Sequence, residues 1–215
     1  MKNNKFKIGI VSLIVVLVIA ALVIGGTYAF FTAGNSNNNT ITGSAYEIDI
    51  DLELTPIKAS SSLVPLSDSD IDKAITGTYN CVDSYDNDVC SIYQVDIVNH
   101  GNLVNLYAYV KASNSTFTTD HLKYKVYTKT GDNYTAVSDV ITLSNNANDK
   151  KYFVYDDVNY RFGLNTDQST TYYFVFWLSG VEEDQNEDMD ETFNGVIGIE
   201  ASDGENITAN FGIGS

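Results

Sequence analysis

Residues 46–54 read YEIDIDLEL, and no other stretch narrows the fold so far. Tyr46, Ile48, Ile50, Leu52 and Leu54 fall on one side of a period of two, and Glu47, Asp49, Asp51 and Glu53 on the other. A helix would scatter those apolar residues around its circumference; a strand places them all on one face. The segment is therefore a half-buried β-strand with a carboxylate face. Similar, weaker strand signals follow at 91–98, 103–112, 122–128, 135–143, 151–155, 171–179, 193–201 and 207–213. Polar turn signals separate them, among them NHGN at 99–102, TGDN at 130–133 and SNNAND at 144–149. Many short strands with few helical patterns predict an all-β, antiparallel sandwich of about eight to nine strands in one domain, 46–215. The stretch 55–78, which holds both prolines, is the exception: its LSDSDIDKAIT predicts one short capped helix crossing between sheets.

Ahead of that domain, Lys2, Lys5 and Lys7 precede an apolar run, 8–24, whose only side chain of polar character is Ser12. Its 17 residues lie between the usual length of a signal-peptide core and that of a spanning helix. Gly25 and Gly26 then break the helix, and Thr27 and Ala29 set small residues where a signal peptidase reads them. The expectation is a signal peptide, 1–29, cut after Ala29 to leave Phe30 as the new amino terminus. An uncut single-span anchor is the competing reading. Both put 30–215 outside the cytoplasm, exported by the Sec route with the membrane involved only through the leading segment.

All 28 acidic residues lie beyond Ala29 and three of the 12 basic ones lie before it, so the cut chain carries 9 minus 28, or −19. Such a surface repels phosphate backbones, which argues against nucleic acid as a partner. Cys81 and Cys90 are the only cysteines. In an exported chain an isolated pair predicts a disulfide, here closing a hairpin within NCVDSYDNDVCSIYQVDIV, with two free thiols as the alternative.

Catalytic patterns are scarce. The two histidines, His100 and His121, form no HExxH, there is no G-x-S-x-G, and paired carboxylates are uninformative in so acidic a chain. The expectation is a protein that is not an enzyme and holds no cofactor. EEDQNEDMDE, 182–191, alternates Asp184, Asn186, Asp188 and Asp190 as oxygen ligands do in calcium loops. Met189 stands where such a loop needs its turn glycine, and Gly195 where it needs its bidentate glutamate, so a solvated acidic loop is the preferred reading over a calcium site. The aromatic run TTYYFVFWLSG, 170–180, is apolar on both sides of its alternation and predicts a central strand covered on both faces, in preference to a sugar-stacking platform built on Trp177.

The stretch GGTYAFFTAGNSNNNTITGSAYEIDIDLEL resembles the processing site and first strand of the TasA/camelysin family, and FNGVIGIEASDGENIT, 193–208, resembles that family's penultimate core strand. The resemblance implies a jelly-roll-like sandwich in an exported Gram-positive protein, cut by a SipW-type signal peptidase and assembled into biofilm-matrix fibres. In such fibres the freed amino-terminal segment of one subunit completes the sheet of the next. Carried to this chain, it implies a homopolymer joined by 30–45, with Phe30, Phe31, Thr40, Ile41 and Thr42 as the joining residues. The alternative is a surface sandwich that does not polymerise, released or anchored by 8–24, and that binds a ligand, calcium or carbohydrate.

Overall fold

The computed structural model describes residues 49–60, 62–76, 81–102, 104–143, 150–154, 162–180, 186–188, 190–201 and 206–213. The alternation that opens the domain continues as strand β1, Ile50–Lys58, with Ile50, Leu52 and Leu54 buried and Glu53 exposed. Tyr46, Glu47 and Ile48 lie outside the described residues. Ten further strands follow: β2 (Ser91–Asn99), β3 (Val104–Ser115), β4 (Leu122–Thr130), β5 (Asn133–Ala136), β6 (Ile141–Thr142), β7 (Lys151–Phe153), β8 (Phe162–Leu164), β9 (Gln168–Leu178), β10 (Phe193–Ala201) and β11 (Asn206–Ile213).

They form two antiparallel sheets. The first runs β1-β2-β9-β4-β5, with β6 also on β4; the second runs β11-β10-β3-β7, with β8 also on β3. The expected all-β sandwich is observed. Its main core lies between the sheets, where Leu54, Val95, Tyr124, Phe174 and Phe176 of the first meet Leu106, Val110, Phe193, Ile197 and Phe211 of the second. Burial of this alternate set is the main favourable term holding the sheets face to face.

β9 sits centrally between β2 and β4, and its Val175 and Trp177 are buried on the side away from the main core. A second, smaller cluster covers them: Ile71, Ala74 and Ile75, the two cysteines, Val89, Ile92 and Tyr127. Trp177 is fully buried and its indole N–H donates to Asp68 at 2.9 Å, which removes the sugar-platform reading of this residue.

Three expectations are corrected. The predicted helix is a single turn, α1 (Ile71–Ala74), and it lies over the outer face of the first sheet rather than crossing between sheets, because the strands on either side of it, β1 and β2, are neighbours in that sheet. It also lacks a side-chain cap: the Asp70 carboxylate is taken by Lys73 at 2.7 Å. The single strand expected at 135–143 is broken into β5 and β6. Between them the Ser138 hydroxyl accepts the backbone N–H of Val126 at 2.9 Å, standing in for a ladder bond. The cysteine segment is not a two-stranded hairpin. Positive φ at Cys81 (60°) and Asp86 (63°) curls it into a loop with one isolated bridge, Val82 to Asp88, before β2 begins.

Candidate functional site

The expected cleavage residues Thr27, Ala29 and Phe30, and the expected joining residues Phe30, Phe31, Thr40, Ile41 and Thr42, lie outside the described residues. The described residues do define the sheet edges. Two of the sheet edges are long strands. β1 and β11 each have one strand partner among the described residues, β2 and β10 respectively, and the two strands lie beside each other on one flank of the sandwich. On that flank the Tyr93 hydroxyl of β2 donates to the Gly212 carbonyl of β11, and the Tyr93 ring meets Phe211 edge-on at 5.2 Å between centroids.

The opposite flank is built from short strands. β6 and β7 border a groove of about 1150 Å³ whose lining includes Lys125, Lys150, Lys151, Val140 and Phe153. Its cations are already engaged: Lys125 with Asp72, Lys151 with Glu200, and Lys150 over the Tyr152 ring at 4.6 Å. Each of these three lysines thus has an acidic or aromatic neighbour.

Cys81 and Cys90 are joined in a disulfide, as expected, with both residues fully buried against α1 and β9. The loop they close is organised by Asp83, which accepts the backbone N–H groups of Tyr85 and Asn87 and the Asn87 side-chain amide. Those bonds, the Asn87 side chain foremost, hold the Asp83 carboxyl below its usual range. Tyr85 stands out from the loop, 84% exposed.

Of the calcium-loop candidates, Asp184 and the side chain of Asn186 lie outside the described residues. Asp190 is exposed with φ of 62°. Asp188 is turned inward: it is 6% exposed, receives the Thr119 hydroxyl and lies 2.6 Å from His121 Nδ1. A carboxylate only accepts, so His121 Nδ1 carries the hydrogen between them. Asp188 is thus engaged by protein groups, Thr119 and His121. Among the described residues no group of three His, Cys, Asp or Glu is placed to hold a metal ion.

His100 also has carboxylate neighbours. Its Nε2 is 3.0 Å from Asp51 and its Nδ1 3.7 Å from Asp167, and the bond to Asp51 raises its pKa, with Asp49 and Asp167 adding to the effect. Sequence reading missed both histidine contacts, since their partners lie 49 and 67 residues away in the chain.

No protein-family description matches the chain, and no curated protein does. Among solved structures, Spo0M, a sporulation control protein from Bacillus subtilis, is 8% identical with a TM-score of 0.35, over 76% of this chain and 48% of Spo0M. The chain thus spans about half the length of Spo0M. The ApaA protein from Bordetella pertussis is 11% identical with a TM-score of 0.29, over 78% and 94% of the two chains. AvmM, which catalyses macrocyclization in alchivemycin A biosynthesis, is 8% identical with a TM-score of 0.37, over 82% and 97%. At this distance no activity is carried from them to this chain.

Proposed function

We propose that the protein is an exported structural subunit of the TasA/camelysin type, cut after Ala29 by a SipW-type signal peptidase. It polymerises outside the cell when residues 30–45 of one copy add to a sheet of the next. The observation that carries the reading is a pairing of two properties. Residues 30–45, FFTAGNSNNNTITGSA, hold no charged side chain in a chain of net −16, and among the described residues the two sheets end in the long strands β1 and β11. An extended segment added to such an edge gains main-chain hydrogen bonds, with alternate side chains supplying specificity. Because donor and acceptor are different surfaces, the contact does not have to close on itself and can propagate a filament. The Cys81–Cys90 disulfide supports export, since such bonds persist in oxidising compartments.

The test is to express the full chain in a Gram-positive host, determine the amino terminus of the surface protein by mass spectrometry, and image the same sample by electron microscopy. A terminus at Phe30 together with fibres is expected. An intact 1–215 chain, or a terminus at Phe30 with monomers at every concentration, would overturn the proposal.

A further inference from the structure

Cysteine, methionine, tryptophan and tyrosine are the side chains that oxidants attack most readily, and attack follows exposure. Among the described residues of this chain, one of them stands open to solvent. Both cysteines are held in the buried Cys81–Cys90 disulfide, so neither offers a thiol. Trp177, the single tryptophan, is fully buried, and the two methionines, Met1 and Met189, lie outside the described residues. Tyr93, Tyr109, Tyr124, Tyr127 and Tyr152 are buried, and the other described tyrosines apart from Tyr85 are half-buried. Several hydroxyls are already engaged: Tyr93 donates to the Gly212 carbonyl, Tyr124 to the Tyr152 carbonyl and Tyr127 to Asp72. Tyr85 is 84% exposed, and among the described residues neither its hydroxyl nor its ring meets a partner.

The backbone around Tyr85 holds it in that position. The disulfide closes the loop, the Val89 N–H donates to the Cys81 carbonyl at 2.9 Å, and Val82 and Asp88 form a bridge across it. At the tip the Asp83 carboxylate accepts the N–H groups of Tyr85 at 2.8 Å and Asn87 at 2.9 Å. Two further contacts fasten the loop to the sandwich: Lys58 of β1 pairs with Asp88 at 2.7 Å, and the Val64 N–H donates to the Asp88 carbonyl at 2.8 Å. A side chain presented on so constrained a loop meets a partner without the entropy cost of ordering its backbone.

We propose that Tyr85 is an oxidative coupling site, at which two copies of the chain are joined by a dityrosine bond with hydrogen peroxide as oxidant and a haem peroxidase as catalyst. Each Tyr85 hydroxyl gives up one electron and its proton. The two electrons and two protons reduce one hydrogen peroxide to two waters, leaving two phenoxyl radicals. The radicals join through the ring carbons beside their oxygens, forming one carbon–carbon bond. Each joined carbon then releases its hydrogen as a proton while its oxygen takes one back, which restores both rings. Both copies carry a net charge of −16 and an exposed Asp86 beside the phenol, so salt should favour the encounter. The coupling requires an exposed phenol and a second copy, and it stands apart from how the subunits polymerise.

The test treats the full chain, and its Tyr85→Phe variant, with hydrogen peroxide and a haem peroxidase, with N-acetyltyrosine coupled in the same mixture as a control. Covalent dimer is read on a reducing, denaturing gel, and the joined peptides are mapped by mass spectrometry. Wild type should give a dimer whose main cross-link joins Tyr85 to Tyr85, in higher yield as salt is added. Tyr85→Phe should lose most of that dimer while melting at the wild-type temperature. Dimer at the wild-type rate in Tyr85→Phe, or no wild-type dimer while the control couples, overturns the proposal. If the variant melts lower than wild type, the map of the unsubstituted chain decides: a main cross-link at any tyrosine other than Tyr85, including Tyr46, Tyr79, Tyr155 or Tyr160, overturns it too.

Discussion

The hydroxyl of Tyr93, on β2 in the first sheet, donates a 2.5 Å hydrogen bond to the carbonyl of Gly212, on β11 in the second. It ties the two sheets together on the flank where both long edges lie. Burial pushes the Tyr93 pKa up to about 12, so the hydroxyl keeps its hydrogen and remains a donor across the neutral range. Tyr93→Phe preserves the ring contacts with Phe176 and Phe211 and removes only this bond. It should cost about 1–2 kcal/mol, read as a lower urea midpoint with an unchanged slope. An unchanged midpoint would mean that the tie contributes nothing.

The disulfide and the single tryptophan share one small cluster on the outer face of the first sheet. Replacing both Cys81 and Cys90 with serine should cost about 2–3 kcal/mol and lower Tm by roughly 5–10 °C, since the bridge closes a short loop. Trp177 fluorescence reports on the same place. Its emission should be blue-shifted in the native protein and should move to the red in the serine variant at a lower temperature than in wild type. Coincident melting of the two proteins would contradict this.

Gly198 on β10 lies under the Tyr109 ring of β3. A Cβ there would come within 2.3 Å of the ring, and Tyr109 is itself buried with Phe153 5.7 Å away between centroids. Gly198→Ala should therefore destabilise by about 1–3 kcal/mol, although alanine is the better strand residue elsewhere. Tyr109→Leu in the same chain should recover part of the loss if crowding is the cause; thermal melts of the two variants separate the cases.

Acid should act on the fold and on the proposed assembly in opposite directions. Burial resists the ionisation of Asp68, but bonds from Lys123, Trp177 and Ser179 outweigh it and hold the carboxyl below its usual range. Burial is likewise outweighed at Asp72 by bonds from Tyr127 and Lys125, and at Asp88 the Lys58 bond dominates. Groups depressed in the folded state give stability that is present above their unfolded pKa, about 3.9, and lost as pH falls through the folded value. Tm should therefore hold down to about pH 4 and fall below it, with the acid limb shallower in an Asp68→Asn/Asp72→Asn/Asp88→Asn variant. His100 works the other way. Its raised pKa gives a contribution complete below about 6.5 and lost as pH rises through the folded value, so His100→Gln should flatten any decline in Tm above neutrality. Fibre growth should meanwhile accelerate as pH approaches about 4.5 or as salt is added, because either weakens the repulsion between acidic subunits.

The sandwich was legible in the sequence wherever a strand is apolar on one face and wet on the other, or apolar on both. The alternation at Ile50, Leu52 and Leu54 and the unbroken apolar run at Phe174, Val175, Phe176 and Trp177 both announce their burial correctly. Elements decided by a single distant partner were not legible. Ser138 splits β5 from β6 by bonding Val126, and β8 exists only because three of its residues find β3. The inward turn of Asp188 depends on His121 and Thr119, which no local spacing reveals. That NITANFGI forms the last described strand of its sheet is likewise decided by sheet order rather than by its own residues.

The central claim is that the freed amino-terminal segment joins the subunits. Its most direct test compares the chain beginning at Phe30 with one beginning at Tyr46, both checked for folding by circular dichroism and followed by light scattering at matched concentration. Fibres from the first and a folded, persistently monomeric second are predicted. Equal polymerisation of the two would contradict the account.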